Sequence, residues 1–168
     1  MDGPEQFVAA EHAGLLRAAY LLTGSQDAAE DLVQETLIRV LVHWRRVSRA
    51  DSPAAYTRKM LLSAFLRGRQ RAWHGEVPHD LLPERAHDSA YAVVDERDAI
   101  CQALLALPPR QRAAVVLRHY EDQSEATTAH VMGCSVGTVK SLTSRGLAAL
   151  RTSLAMLLQD SQEGTAAP

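Results

Sequence analysis

Residues 74–97 interrupt the helical pattern of this chain. They contain Pro78 and Pro83 and show no sustained apolar repeat, whereas apolar residues on both sides recur at three- and four-residue steps. Ala and Leu are abundant there and β-branched clusters are scarce, which favours helices over strands. The sequence therefore predicts an all-α protein of two small helical domains joined by a flexible linker. The predicted bounds are 1–73 and 98–158 for the domains, 74–97 for the linker and 159–168 for a disordered tail.

The charges follow the same division. The net charge is only -2, but residues 44–73 carry eight basic residues and one acidic residue, a net charge of +7. Residues 74–98 have a net charge of -5, so the linker is acidic, and residues 110–151 have a net charge of +3. Two basic domains separated by an acidic linker indicate contacts with nucleic acid that the overall charge conceals.

Several other classes of protein are excluded by missing patterns. Residues 133–137 match the G-x-S-x-G pattern of hydrolases, but no alternation of strands and helices is predicted to build that fold. The histidines have no metal-ligand spacing, and Cys101 and Cys134 are too isolated for a zinc site or a disulfide framework, so both are expected to be buried thiols. We expect no catalytic residue, no metal and no cofactor. No apolar stretch approaches the roughly 20 residues that span a bilayer, and the start of the chain lacks signal-peptide charge, so we expect a cytoplasmic protein without membrane insertion.

An amphipathic helix is predicted after Ser25, a residue suited to cap it. Its core face is predicted to comprise Ala29, Leu32, Val33, Thr36, Leu37, Val40, Leu41 and Trp44. Its opposite face combines acidic and amide side chains with one apolar residue, namely Asp31, Gln34, Glu35 and Ile38. This face is either a solvated surface or a docking surface for a basic protein partner.

A second helix is predicted to open at Ser52 and Pro53 and to run toward Arg71. Lys59, Ser63, Arg67 and Arg71 lie at four-residue steps along it. Basic and hydroxyl groups at this spacing suit phosphate contacts, and the alternative is a solvated basic face.

The second domain contains the spacing of a helix-turn-helix. Ala129 is the small residue where two helices touch, Gly133 lies in the turn, and Val139 is the apolar anchor of the second helix, which Ser135 is expected to cap. Side chains suited to phosphates and base edges are left to project from that helix; they are Thr138, Lys140, Ser141, Ser144 and Arg145. The alternative is a helical hairpin with polar residues facing solvent.

Three segments together resemble a known family, the extracytoplasmic-function (ECF) RNA polymerase sigma factors. The segments are the run from Asp31 to Leu37, the Leu-Pro-Pro-Arg-Gln-Arg motif at 107–112 and the helix-turn-helix run from Gly133 to Ser141. The resemblance covers most of residues 5–155. Within the family the chain resembles the actinobacterial branch whose helix-turn-helix ends as residues 143–147 do here.

The resemblance implies a role for each surface. The first domain would be sigma region 2, with Asp31, Gln34, Glu35 and Ile38 docking on the β′ clamp helices of core RNA polymerase. The same domain would open and read the minus-ten promoter element as single-stranded DNA through Arg49, Ser52, Arg58, Lys59, Ser63, Arg67 and Arg71. The second domain would be sigma region 4, reading the minus-thirty-five element through Thr138, Lys140, Ser141, Ser144 and Arg145, while the helix before it meets the β flap.

Other expectations also come from the family. The acidic linker would follow the channel that holds template strand and nascent RNA, or it would be an ordinary solvated linker. An anti-sigma factor is a possible further partner. The chain departs from the family at Ser63, where asparagine is frequent, at Asp122 and Gln123, where the turn usually contains glycine, and at Leu142, a position that is often polar.

Two rival functions remain open on sequence alone. A stand-alone helix-turn-helix repressor or activator would bind duplex DNA as a dimer, but it leaves the first domain unexplained. A helical adaptor that docks on a basic partner without binding DNA leaves the basic stripe at Lys59, Ser63, Arg67 and Arg71 unexplained.

Overall fold

The computed structural model describes residues 3–73 and 96–163, and within this part of the chain every regular element is helical. The first domain contains α1 (Pro4–Thr23), α2 (Gln26–Val42), α3 (Trp44–Val47) and α4 (Pro53–Trp73). The second contains α5 (Glu96–Leu105), α6 (Pro109–Val115), a π-helical turn (Val116–Tyr120), α7 (Glu125–Met132) and α8 (Val136–Glu163). The all-α fold with two helical domains is confirmed.

The helix starts follow the predicted caps. The Ser25 hydroxyl accepts a hydrogen bond from the Ala28 N–H at the start of α2, and the Ser52 hydroxyl accepts one from the Ala55 N–H at the start of α4. In both places a side-chain oxygen satisfies an amide that has no partner within the helix.

The bounds of the predicted linker and tail differ from the structure. Helix α5 begins at Glu96, two residues inside the predicted linker, and the rest of that linker lies outside the described residues. Helix α8 continues to Glu163, so the structure places the first five residues of the predicted tail in this helix. Residues 159–163 are all polar, and the helix formers Gln159, Gln162 and Glu163 among them suit its continuation.

Most of the predicted core face of α2 is buried. Ala29, Leu32, Val33, Thr36 and Val40 are buried against the other helices of the first domain. The prediction that Leu41 faces the core is wrong, because its side chain is about half exposed. Helix α2 ends one residue later, and the chain continues into α3, where Val47 is buried.

The two domains share one hydrophobic core. Buried side chains of α1, α2 and α4 form a continuous cluster with those of α5, α6, the π turn and α7. Gly24 lies at the contact, because a Cβ there would come within 2.3 Å of the Leu105 methyl groups. Gly24 also ends α1 with a φ of 72°, a conformation that favours glycine. The described parts of the chain are therefore closed against each other.

Arg112 joins the domains at this contact. Its side chain is buried, with 4% exposed, and its guanidinium donates to the Leu22 carbonyl of the first domain at 2.5 Å. The same group donates to the carbonyls of Leu105 and Leu107 at 2.9 and 3.1 Å. Arg112 thus donates hydrogen bonds both to α1 and to the end of α5 and the turn that follows it.

We expect Arg112→Met to lower the free energy of unfolding by about 3 kcal/mol, because buried carbonyl groups lose a charged donor. Thermal and urea unfolding followed by circular dichroism measures the change. Arg110→Met is the matched control, since the Arg110 side chain is exposed and donates a long hydrogen bond of 3.4 Å to the Met132 carbonyl, and we expect the substitution to cost less than about 1 kcal/mol. Equal losses in the two variants would contradict the role given to Arg112.

Candidate nucleic-acid and protein interfaces

The helix-turn-helix is formed by α7 and α8. Ala129 and Val139 are buried where the two helices meet, and Gly133 turns the chain between them with a φ of 62°. The Ser135 hydroxyl accepts a hydrogen bond from the Thr138 N–H at 3.1 Å, so it caps α8 as expected. These contacts set the angle at which α8 leaves the domain.

The predicted DNA-reading side chains lie along the first part of α8. Thr138, Lys140, Ser144 and Arg145 are exposed, while Ser141 is half-buried. The Lys140 ammonium lies 3.5 Å from the Glu125 carboxylate of α7, and its side chain is largely exposed. An ion pair this exposed is weak, so Lys140 remains available to a ligand.

A basic recess beside these residues was missed on sequence. A pocket of about 410 Å³ brings Arg118 and His119 of the π turn together with Lys140, Ser144 and Arg151 of α8. Arg118 also donates a hydrogen bond to the Gln123 carbonyl. Arg151 follows Ser144 by seven residues, so helical periodicity alone places it on the same face of α8. Arg118 and His119 had no such signal, because only the fold brings the π turn against α8.

The acidic face of α2 is open to solvent. Asp31, Gln34, Glu35 and Ile38 are all exposed, with Ile38 61% exposed, and Glu35 forms an ion pair with Arg39 at 2.7 Å. Leu41 and Val42 are also exposed and extend the apolar part of this surface toward the end of the helix. An exposed apolar group bordered by carboxylates is typical of a docking surface for a protein partner.

The basic surface of the first domain is built on α4 and the turn before it. Arg49, Ser52 and Arg67 are exposed, and Lys59 and Ser63 are half-buried. Arg71 lies on α4, but its side chain is outside the described part of the chain. The stripe predicted from the four-residue spacing is therefore carried by one continuous helix.

Arg58 differs from the other predicted DNA contacts. Its guanidinium lies 2.5 Å from the Glu121 carboxylate of the second domain and 3.5 Å from the Glu11 carboxylate of α1. Burial raises the pKa of the Glu121 carboxyl, and the negative charge of Glu11 raises it further. The positive charges of Arg58 and Arg17 lower this pKa and so oppose the shift. In the closed arrangement of the domains, Arg58 is held between carboxylates.

The family models match both domains in the predicted order. Residues 7–74 match sigma-70 region 2, and residues 97–150 match sigma-70 region 4. The RNA polymerase sigma-E factor of Streptomyces coelicolor is 36% identical over 154 residues, which cover 89% of this chain and 85% of the relative. The chain belongs to the ECF RNA polymerase sigma factors of the sigma-70 family.

Other relatives agree with this assignment. The ECF RNA polymerase sigma factor SigL of Mycobacterium tuberculosis is 33% identical over 150 residues, covering 86% of this chain and 85% of the relative. The co-crystal structure of the sigma factor RpoE in complex with the anti-sigma factor NepR from Bartonella quintana is similar with a TM-score of 0.72 and 26% identity. That likeness covers 90% of this chain and 96% of the other, so it includes both domains.

The predicted function is confirmed at the level of the family. This sigma factor directs promoter-specific initiation of transcription, and its relatives are regulators of transcription rather than enzymes. The match to region 2 accounts for the first domain. A stand-alone repressor would leave this whole domain unexplained, and an adaptor would leave its basic stripe unexplained.

No group of three histidine, cysteine or carboxylate side chains within residues 3–73 and 96–163 is arranged to hold a metal ion. No helix in the same ranges is both long and apolar enough to span a membrane. Cys101 is buried as expected, whereas Cys134 is only half-buried, and neither forms a disulfide bond.

Proposed function

We propose that this sigma factor binds core RNA polymerase through the exposed face of α2 and reads promoter DNA through two separate surfaces. Domain 1–73 reads the minus-ten element, domain 98–158 reads the minus-thirty-five element, and residues 74–97 link them. The protein acts in the cytoplasm, where polymerase and chromosome meet. The observation that carries the proposal is the exposure of donor side chains on α8, on a chain whose two domains match regions 2 and 4.

The first part of α8 supplies the minus-thirty-five contacts in this proposal. A major groove is wide enough for an α-helix, and arginine or lysine pairs with guanine while serine and threonine serve phosphates and base edges. Thr138, Lys140, Ser144 and Arg145 are exposed on consecutive turns of α8, and Ser141 lies between them. The basic recess at Arg118, His119 and Arg151 adds phosphate contacts beside the recognition helix.

The turn at Arg49 and Ser52 and the stripe on α4 supply the minus-ten contacts. Their support is the high positive charge of residues 44–73 and the exposure of Arg49, Ser52 and Arg67. Basic side chains follow the backbone of a single strand, whereas hydroxyl groups approach its bases. Arg58 lies between the turn and the stripe, which begins at Lys59. Ser63 stands where the family often has asparagine, so we expect the preferred minus-ten sequence to differ from that of relatives with asparagine.

The α2 face supplies the polymerase contact. Its support is an exposed isoleucine among acidic and amide groups, with Leu41 and Val42 extending the apolar area. In protein interfaces an apolar anchor inside a polar rim carries much of the affinity, while complementary charge steers association. The β′ clamp helices are the proposed partner of this face, and the β flap is the proposed partner of the second domain.

An apolar groove between the domains supports an anti-sigma factor as a further partner. It is lined by Leu16 and Tyr20 of α1, by Ile100 and Leu104 of α5 and by Leu147 and Leu150 of α8. The related RpoE is described in complex with an anti-sigma factor. We therefore propose that an apolar helix of an anti-sigma factor occupies this groove and holds the domains together.

The minus-thirty-five assignment is tested by run-off transcription with purified core polymerase on candidate promoter fragments. We expect Lys140→Glu with Arg145→Glu to reduce specific initiation at least tenfold, because two phosphate or base contacts become repulsive. Core polymerase alone gives the background, and a pull-down checks that the variant still binds polymerase. Polymerase-independent binding of the unaltered protein to a palindrome, with no initiation, would instead support a repressor.

The polymerase assignment is tested with Ile38→Glu. Because the side chain is already exposed, the substitution has little effect on folding, and we expect affinity for core polymerase to fall at least tenfold in a binding titration. Met156→Glu is the matched control, since Met156 is 59% exposed on α8 and lies outside the α2 face. Similar affinities for the two variants would exclude Ile38 as the anchor.

The anti-sigma assignment is tested with a photo-crosslinking amino acid at position 100 in living cells, with position 156 as the control. We expect a protein that crosslinks at 100 only and that, once purified, inhibits run-off transcription by the unaltered sigma factor. Ile100→Glu should relieve this inhibition at least fivefold, because a charge enters an apolar contact. A crosslinked protein without inhibitory activity would count against the groove as an anti-sigma site.

A further inference from the structure

Four charged residues meet where the two domains touch. Arg58 of α4 contacts Glu11 of α1 and Glu121 of the second domain, and Arg17 of α1 lies close enough to Glu121 to affect its titration. The cluster contains two positive and two negative groups, so its charges balance. From the sequence alone Arg58 is a predicted DNA contact, and no sequence pattern places Glu121 near it.

The turn that carries Glu121 has a well-defined geometry. The Glu121 N–H donates to the Val116 carbonyl at 3.0 Å, which closes the π turn, and the Gln123 N–H donates to the Leu117 carbonyl at 2.9 Å. Asp122 has a φ of 49°, and it is the only non-glycine residue with a positive φ in the described ranges. Aspartate tolerates this conformation better than most residues, so the turn forms although the glycine usual in the family is absent. These contacts hold the Glu121 carboxylate toward the first domain.

The environment of Glu121 makes its partner important. Its side chain is only 7% exposed, and a carboxylate this buried is unfavourable unless a positive group lies beside it. The Arg58 guanidinium lies across α1 next to Gly14, where the nearest approach to an added Cβ would be 3.7 Å. An added Cβ at this distance would make ordinary van der Waals contact, so the Arg58 side chain lies against α1 while it reaches toward both carboxylates.

We propose that Arg58, Glu121 and Glu11 form an interdomain latch that favours the closed state and withholds Arg58 from promoter DNA. The inference rests on the minus-ten role proposed above for Arg58. Glu121 and a DNA phosphate are alternative partners for one guanidinium, so DNA binding by Arg58 requires the latch to open. The free sigma factor is then inhibited by its own second domain, and separation of the domains on polymerase activates Arg58.

Closure is measured first, on the full chain. Spin labels are placed at Gln6 and Ala155, two exposed positions on different domains, after Cys101 and Cys134 are replaced by alanine. Pulsed electron paramagnetic resonance then reports the fraction of molecules with a long interdomain distance. We expect Glu121→Gln to raise the ratio of open to closed molecules about tenfold, since a neutral amide is a weaker partner for Arg58 than a carboxylate.

Two further variants control this measurement. Arg58→Gln removes the other side of the same contact and should open the domains to a similar extent, which keeps the test valid if one variant folds poorly. Glu5→Gln removes one carboxylate from an exposed position on α1 and should leave the distances unchanged. Equal open fractions for Glu121→Gln and Glu5→Gln would overturn the latch.

Binding of DNA is measured second, without polymerase. The probe is a fluorescein-labelled single strand carrying the non-template sequence of the promoter used in run-off transcription. We expect Glu121→Gln to increase affinity about fivefold, and the increase should disappear when Arg58→Gln is added, because the released guanidinium produces it. An increase that persists without Arg58 would overturn the claim that the latch withholds this residue. If Arg58 does not contact the minus-ten strand, Glu121→Gln still opens the domains but does not increase DNA affinity. The two measurements therefore distinguish an error in the minus-ten role of Arg58 from an error in the latch.

Discussion

The closed arrangement of this sigma factor depends on one buried guanidinium. Arg112 donates to the last turn of α1 and to the turn between α5 and α6, so it satisfies carbonyl groups from both domains. A helix end buried at an interface needs such a donor, because water cannot reach its carbonyl groups. The apolar contacts around Gly24 and Leu105 add area, but Arg112 specifies the relative position of the two domains.

The elements of each domain were largely predictable from local chemistry. Ser25, Ser52, Ser124 and Ser135 precede helices with the expected spacing, and all four cap them through their hydroxyl groups. The helix-turn-helix was recognisable because Ala129, Gly133 and Val139 have to satisfy steric demands at fixed separations. These signals lie within a few residues of each other, which is why sequence alone reveals them.

Contacts between distant segments could not be predicted in the same way. Arg112 belongs to the Leu-Pro-Pro-Arg-Gln-Arg motif, but nothing in the neighbouring sequence indicates a hydrogen bond to Leu22, 90 residues away. Glu121 and Arg58 are likewise an ordinary acid and base until the fold brings them together. Leu41 fits the apolar period of α2, yet it is about half exposed, although Val40 before it and Val47 after it are buried. In each instance tertiary packing decided an outcome that periodicity left open.

Helix α8 has a consequence that follows from its length. It contains 28 residues, about 42 Å of continuous helix, with the donors of the helix-turn-helix near its beginning and Leu147 and Leu150 packed on the shared core further along. Gly146 is tight against Val115 of α6, where a Cβ would meet a methyl group at 2.7 Å, so the helix cannot tilt freely at this point. A rigid rod fixed near its middle converts a change of angle at one end into a displacement at the other. Seating of the recognition helix on DNA and the fit of the two domains are therefore mechanically coupled through a single element.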